Sequence, residues 1–146
     1  MPAVEALLDS NVLIYALPRL PDEPAKQARA RELIERVEFG LSFQVLQEVF
    51  VTATCKLQKP LEAEAALKFL MPFLEFPFVD GTEALFLEAC RLSKRFHIHY
   101  YDAAILAAAR ELGARTVYSE DLSHGQDYDG VKVINPFRGL APAKSS

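Results

Sequence analysis

Short apolar runs alternate with longer amphipathic stretches along this chain. "VEALL" (4–8), "FGLSF" (39–43), "FPFVD" (76–80), "RTVYS" (115–119) and "VKVIN" (131–135) each read as a short buried strand. The residues between them carry the periodicity of helices. "SNVLIYAL" begins a helix that Pro18 cuts off. Asp22 is the expected N-cap of a second helix, with Pro24 in its first turn and an end near Glu38. "QVLQEVFVTATCKLQ" is amphipathic, with Val45, Leu46, Val49, Phe50 and Ala53 on one face. Residues 61–71 form the next helix, after a break at Pro60. Thr82 caps one that reaches about Phe96. "YDAAILAAARELGA" is the last, closed by Gly113 at its C-terminal cap. Short apolar strands alternating with helices imply a parallel sheet covered on both faces. The expectation is a single three-layer α/β/α domain over residues 1–146 with a mostly parallel sheet of about five strands. "EDLSHGQDYDG" is expected to be a loop, and the tail from about residue 138 to fray.

Composition narrows the class. A chain of 146 residues, 51% hydrophobic and 25% charged, suits one globular domain with a real core. It shows no repeat, no low-complexity segment and no Gly- or Ser-rich linker. No apolar run approaches the length of a membrane span, and no targeting segment is visible at the start, so the expected setting is cytoplasmic, away from membranes. Cys55 and Cys90 have no partner spacing for a metal site and read as reduced core thiols. A net charge of −4 argues against general coating of nucleic acid. It leaves room for a nuclease that gathers carboxylates at its centre and keeps basic residues at its rim. The one basic stretch is "RLSKRFHIH" (91–99). Arg91, Lys94 and Arg95 read there as a solvated helix face, with contact to RNA phosphates as the alternative, and His97 and His99 as a surface loop around a packed Ile98.

The acidic residues change the picture. In an open parallel sheet, ligands bind beyond the carboxyl ends of the strands. Asp9 ends the first strand, and Glu120 and Asp121 follow the fourth. Glu48 sits one turn into the helix after the second, and Asp102 in the first turn of the helix leading into the fourth. Helical phase puts Asp102 on the side of Ile105, Leu106 and Ala109, facing inward, with Ala107 and Arg110 elsewhere. A bare carboxylate there costs several kcal/mol or takes up a proton. No arginine or lysine is supplied nearby in sequence, and several carboxylates meeting without cations repel. A divalent metal removes the conflict. With His and Cys ligand spacings absent, the ion implied is hard and oxygen-liking, Mg²⁺ or Mn²⁺. Phosphodiester hydrolysis is the natural chemistry of such a centre.

In order and at these separations, "LLDSNVLIYA", "SFQVLQEVF", "YYDAAILAAA", "VYSEDLSHGQ" and "VKVINPF" resemble the motifs of a PIN-domain ribonuclease, of the kind found in VapC-type toxins of toxin–antitoxin pairs. The resemblance implies that Asp9 and Asp102 hold the metal and that Glu48 helps to position the ion or its water. Asp121 completes the pocket, Glu120 supplies a further outer acid, and Asn11 and Ser119 hydrogen-bond the cluster. It also implies an RNA substrate, a homodimer, and an antitoxin whose basic or aromatic tail blocks the acidic pocket. The runner-up is a non-catalytic, metal-stabilised adaptor for RNA or protein on the same fold.

Overall fold

The computed structural model describes residues 4–18 and 22–140. Six strands form one sheet in the order β3-β2-β1-β4-β6-β5. They are β1 (Ala6–Leu8), β2 (Phe39–Ser42), β3 (Phe78–Val79), β4 (Thr116–Tyr118), β5 (Asp127–Tyr128) and β6 (Val131–Ile134). All neighbours run parallel except β5 and β6. The helices are α1 (Ser10–Tyr15), α2 (Pro24–Arg36), α3 (Phe43–Val51), α4 (Ala63–Leu70), α5 (Glu83–Phe96) and α6 (Tyr100–Leu112), and they cover both faces of the sheet.

The central strands are short and wholly buried, as befits a sheet packed on both sides: Leu7, Leu8, Leu41, Val117 and Val133 are fully enclosed. Helix α6 lies between the sheet and α5. Its seven residues from Ala103 to Ala109 are all buried, so Ala107, expected to point away from the core, is buried too. The alanines let α6 approach closely. Gly40 of β2 serves the same end, because a Cβ there would stand 2.8 Å from Leu112 Cδ1 of α6 and 3.1 Å from the carbonyl oxygen of Pro77.

Strand β5 falls in the segment expected to be a loop. Tyr128-Asp129-Gly130-Val131 makes a tight hairpin in which Asp129 and Gly130 both have positive φ, 54° and 97°. This is the Asp-Gly signature of a two-residue turn, placed in a polar segment that masks it. Three further expectations are corrected. Helix α2 is capped by Glu23 without a side-chain hydrogen bond, not by Asp22, and it ends at Arg36 because Val37 turns extended to enter β2. The amphipathic run after β2 is α3 followed by a π-helical turn over Thr52–Lys56, which ends with the amide of Leu57 donating to the carbonyl of Thr52. Cys55 and Cys90 are free thiols but exposed, since both fall on the solvent side of their helices. Phe137 is buried and Leu140 packs against the core; the remainder of the tail, 141–146, lies outside the described residues.

Candidate functional site

The first strand delivers its carboxylate by a capping geometry. Asp9 follows β1 in an extended conformation, and its amide donates to the carbonyl of Tyr118 at 3.0 Å, locking it to the end of β4. Its Oδ1 accepts from the amide of Ser10 at 2.7 Å, so Asp9 caps α1. Capping uses only that oxygen. Oδ2 accepts from Ser119 Oγ at 2.7 Å, from the strand next door.

Ser119 joins three residues. Besides donating to Asp9, its Oγ accepts from the amide of Asp121 at 3.1 Å and from Asn11 Nδ2 at 3.4 Å. Asn11 Nδ2 also donates to Asp121 Oδ2 at 3.2 Å, and Asn11 Oδ1 accepts from the amide of Glu120 at 3.3 Å. Asn11 thus ties α1 to the segment after β4. Among the described residues the buried polar side chains are Asp9, Ser10, Asn11, Ser42 and Ser119, and all but Ser42, the cap of α3, belong to this cluster.

Glu48 approaches from α3. Ser10 Oγ donates to its Oε2 and Gln44 Nε2 to its Oε1, both at 2.7 Å. Gln44 is one turn earlier on the same helix, and its amide also reaches the carbonyl of Tyr101 at 3.2 Å, which links α3 to the start of α6. Asp102 sits half-buried in that first turn.

The four carboxylates share one electrostatic environment. Burial pushes the Asp9 carboxyl up to about 6; the hydrogen bonds from Ser119 and Ser10 oppose this, and the charges of Glu48 and Asp121 add to it. Asp102 is also raised, first by burial and then by the charge of Asp121; His99 pulls the other way, and Glu48 adds a smaller push upward. Among the described residues no lysine or arginine pairs with Asp9, Glu48, Asp102 or Asp121. Asp9, Glu48, Asp102 and Asp121 and the hydrogen-bonding partners Asn11 and Ser119 are therefore brought together at one sheet edge.

Glu120 stands apart. Its Oε1 accepts from Tyr15 Oη at 2.7 Å and its Oε2 lies 3.3 Å from Lys26 Nζ. Lys26 also donates to Tyr15 Oη at 3.1 Å and lies over the Tyr15 ring, 4.7 Å from its centroid. Burial disfavours the Lys26 ammonium, yet the hydrogen bonds to Tyr15 and Glu120 and the charge of Glu120 hold its pKa above the ordinary lysine value. Glu120 is thus neutralised by its own cation, facing α1 and α2.

The basic stretch is committed elsewhere. Arg95 grips Asp129 with two bonds of 2.8 Å, Arg91 pairs with Glu88, and Arg110 donates to the carbonyl of Asp129 at 2.6 Å. Asp129 lies in the turn before β6, at the edge opposite to Asp9 and Asp121. His97 closes α5 with a left-handed φ of 54°, and the His99 side chain caps α6 by accepting from the amide of Tyr101.

The comparison that decides the family is a match of residues 6–125 to the PIN domain model. This chain belongs to the PIN domain family. No curated protein matches the sequence. Solved structures share the fold at low identity. A toxin–antitoxin complex from Klebsiella pneumoniae is 20% identical with a TM-score of 0.64, over 90% of this chain and 98% of that one. The Mycobacterium tuberculosis toxin VapC20, described as cleaving the sarcin–ricin loop, is 17% identical at 0.61, over 80% and 90%. FitAcB from Neisseria gonorrhoeae is 21% identical at 0.62, over 91% and 99%.

Within this PIN domain the donor set is all oxygen, and it suits a hard cation. Among the described residues no group of three or more His, Cys, Asp or Glu side chains is arranged to enclose an ion unaided. Sequence reasoning missed Ser10 and Gln44, which aim Glu48, and Tyr15 and Lys26, which hold Glu120. Ser10 was legible only as a capping residue. Tyr15 had a signal, since it lies one turn from Asn11 on the same side of α1. Lys26 had none.

Proposed function

We propose that this PIN domain is a Mg²⁺- or Mn²⁺-dependent endoribonuclease and the toxin of a VapBC-type toxin–antitoxin pair. The observation that carries the reading is the meeting of Asp9, Glu48, Asp102 and Asp121, mutually repelling and without a protein cation, around a buried Asp9 carboxyl raised to about 6. Such a cluster is costly unless something positively charged completes it.

Asp9 and Asp102 would hold the ion. When bound, a divalent cation supplies charge to offset that of the phosphodiester oxygens and favours deprotonation of water near neutral pH. The remaining work falls to the chain. Glu48, fixed by Ser10 and Gln44, and Asp121, fixed by Asn11, orient the attacking water and receive its proton. Attack of water oxygen on phosphorus breaks the bond to the ribose 3′ oxygen, which is protonated as it leaves. The products are a 5′ phosphate and a 3′ hydroxyl.

A partner fits the surface. Val51, Leu67, Met71 and Leu74 are exposed around an apolar groove of about 390 Å³ between α3 and α4. Exposed apolar patches of this kind mark protein contacts. An antitoxin is the partner proposed, with a homodimer as the toxin's own assembly. Among the described residues no helix is long and apolar enough to cross a membrane.

The test is cleavage of structured RNA by the purified protein with Mg²⁺, compared with EDTA and with Asp9→Asn. Cleavage that needs both the ion and Asp9, and leaves 5′ phosphates, supports the reading. Metal-independent cleavage, or full activity in Asp9→Asn, overturns it. Co-purification with a small protein that abolishes cleavage would support the toxin assignment.

A further inference from the structure

A second groove, of about 500 Å³, runs from the acidic cluster along α3. Ser10 and Glu48 form its inner end. Gln47, Thr52 and Lys56 continue it, and Tyr101 of α6 forms another part of its wall. Gln44, Gln47, Glu48 and Thr52 recur at helical spacing, so they make one polar stripe, roughly 18 Å long from Gln44 to Lys56.

Three properties set this groove apart from an ordinary polar surface. Tyr101 is 58% exposed, an unusual position for a large aromatic beside a catalytic-type cluster. Its ring is nonetheless held, stacked on His99 at 5.6 Å and 28° and set edge-on to Tyr100 at 5.3 Å. Lys56 is the one cationic side chain lining the groove, and among the described residues no carboxylate pairs with it. Gln44 is engaged by Glu48 and the Tyr101 carbonyl, whereas Gln47 is exposed at the same stripe.

We infer that this groove binds an unpaired nucleotide of the RNA next to the bond that is cut, with its base on the Tyr101 ring, a flanking phosphate on Lys56, and the Gln47 amide facing the base edge. The inference rests on the nuclease reading and adds the side chains that receive the nucleotide beside the cut bond: Tyr101, Lys56 and Gln47. A base in a duplex has both faces occupied by its neighbours and cannot stack on a side chain; unstacked bases in loops can. The single cation matters because the inner end of the groove is acidic and repels phosphate.

Binding is measured in the Asp9→Asn background, which keeps the RNA intact, with a short fluorescein-labelled single-stranded RNA and the same strand annealed to its complement. Cleavage kinetics are measured in parallel without the Asp9 change. Tyr101→Ala should weaken single-strand binding about tenfold, and Tyr101→Phe should restore it. The loss should appear in KM more than in kcat. Lys56→Met should weaken binding and reduce the slope of log affinity against log salt by about 0.7. Duplex should bind less tightly than single strand and be insensitive to Tyr101→Ala. If both variants bind and cleave like the parent while Asp9→Asn abolishes cleavage, the groove assignment falls and the nuclease stands. If no RNA is cut but binding depends on Tyr101 and Lys56, the groove stands and the nuclease reading falls. Absence of both binding and cleavage overturns both.

Discussion

Ser119 donates its hydroxyl proton to Asp9 across the boundary between β4 and β1, at 2.7 Å, while its oxygen accepts the amide of Asp121 at 3.1 Å. One small side chain thus sets the spacing between two acids that are far apart in sequence. Ser119→Ala leaves one oxygen of a buried carboxylate without its donor, a loss of about 1–3 kcal/mol. It also removes the strongest influence lowering the Asp9 pKa, so Asp9 should hold its proton to higher pH. The expected outcome is a lower denaturation midpoint in urea and, in the metal-free protein, an Asp9 titration displaced upward.

Asp9 links stability to pH with a definite sign. Its carboxyl ionises near 3.8 in the unfolded chain and at about 6 in the folded one. The folded state holds the proton more tightly, so its contribution to stability is fully present below about 3.8 and is lost as pH rises through about 6. Asp102, raised for the same first reason, acts in the same direction. In the absence of metal, Asp9→Asn should therefore stabilise the protein at pH 8 by on the order of 1–3 kcal/mol, although it abolishes cleavage. Asn offers one acceptor oxygen where Asp9 uses two, for Ser10 and Ser119, so the gain falls below the full value of the shift. Thermal melts at pH 4 and pH 8 in EDTA check this; the gain should be confined to the higher pH.

Glu48 depends on Ser10 for its aim. Ser10→Ala leaves the Gln44 bond but frees one carboxylate oxygen. A fall in kcat of about tenfold with little change in KM is expected, against about 10²–10⁴ for Glu48→Gln, which removes the base itself. Steady-state cleavage kinetics of the two variants, and of the pair combined, measure the difference.

Lys26 should matter more for order than for stability. It is partly exposed, so removing its pair with Glu120 costs no more than about 1 kcal/mol. Yet Lys26 and Tyr15 anchor the residue beside Asp121. In Lys26→Met the amides of Glu120 and Asp121, which donate to Asn11 and Ser119, should exchange with solvent faster than in the parent, while the global unfolding free energy barely changes.

Much of this arrangement was legible in the sequence, for a physical reason. A parallel sheet puts every strand's carboxyl end at one edge, so Asp9, Glu120 and Asp121 are placed by strand direction alone; Glu48 follows because its helix begins at that edge, and helical phase turns Asp102 inward. What escaped depends on contacts that have no local signature. The Ser10–Glu48 bond spans 38 residues and the Lys26–Glu120 pair spans 94. Glu120 looked like a further acid of the cluster until Lys26 and Tyr15 were seen to hold it. The β5–β6 hairpin was written in Asp129-Gly130, but two-residue strands carry too little alternation to stand out. The cysteines were assigned by residue type, which fixes an average burial and not a helix face.

The central claim is that Asp9 and Asp102, with Glu48 and Asp121 beside them, hold a divalent cation, and Mn²⁺ binding followed by electron paramagnetic resonance at pH 8 tests it most directly. The account predicts that the parent protein depletes the free Mn²⁺ signal, that Mg²⁺ restores it by competition, and that Asp9→Asn and Asp102→Asn each lose the effect while remaining folded. Undiminished binding in either variant, or no binding by the folded parent, would contradict it.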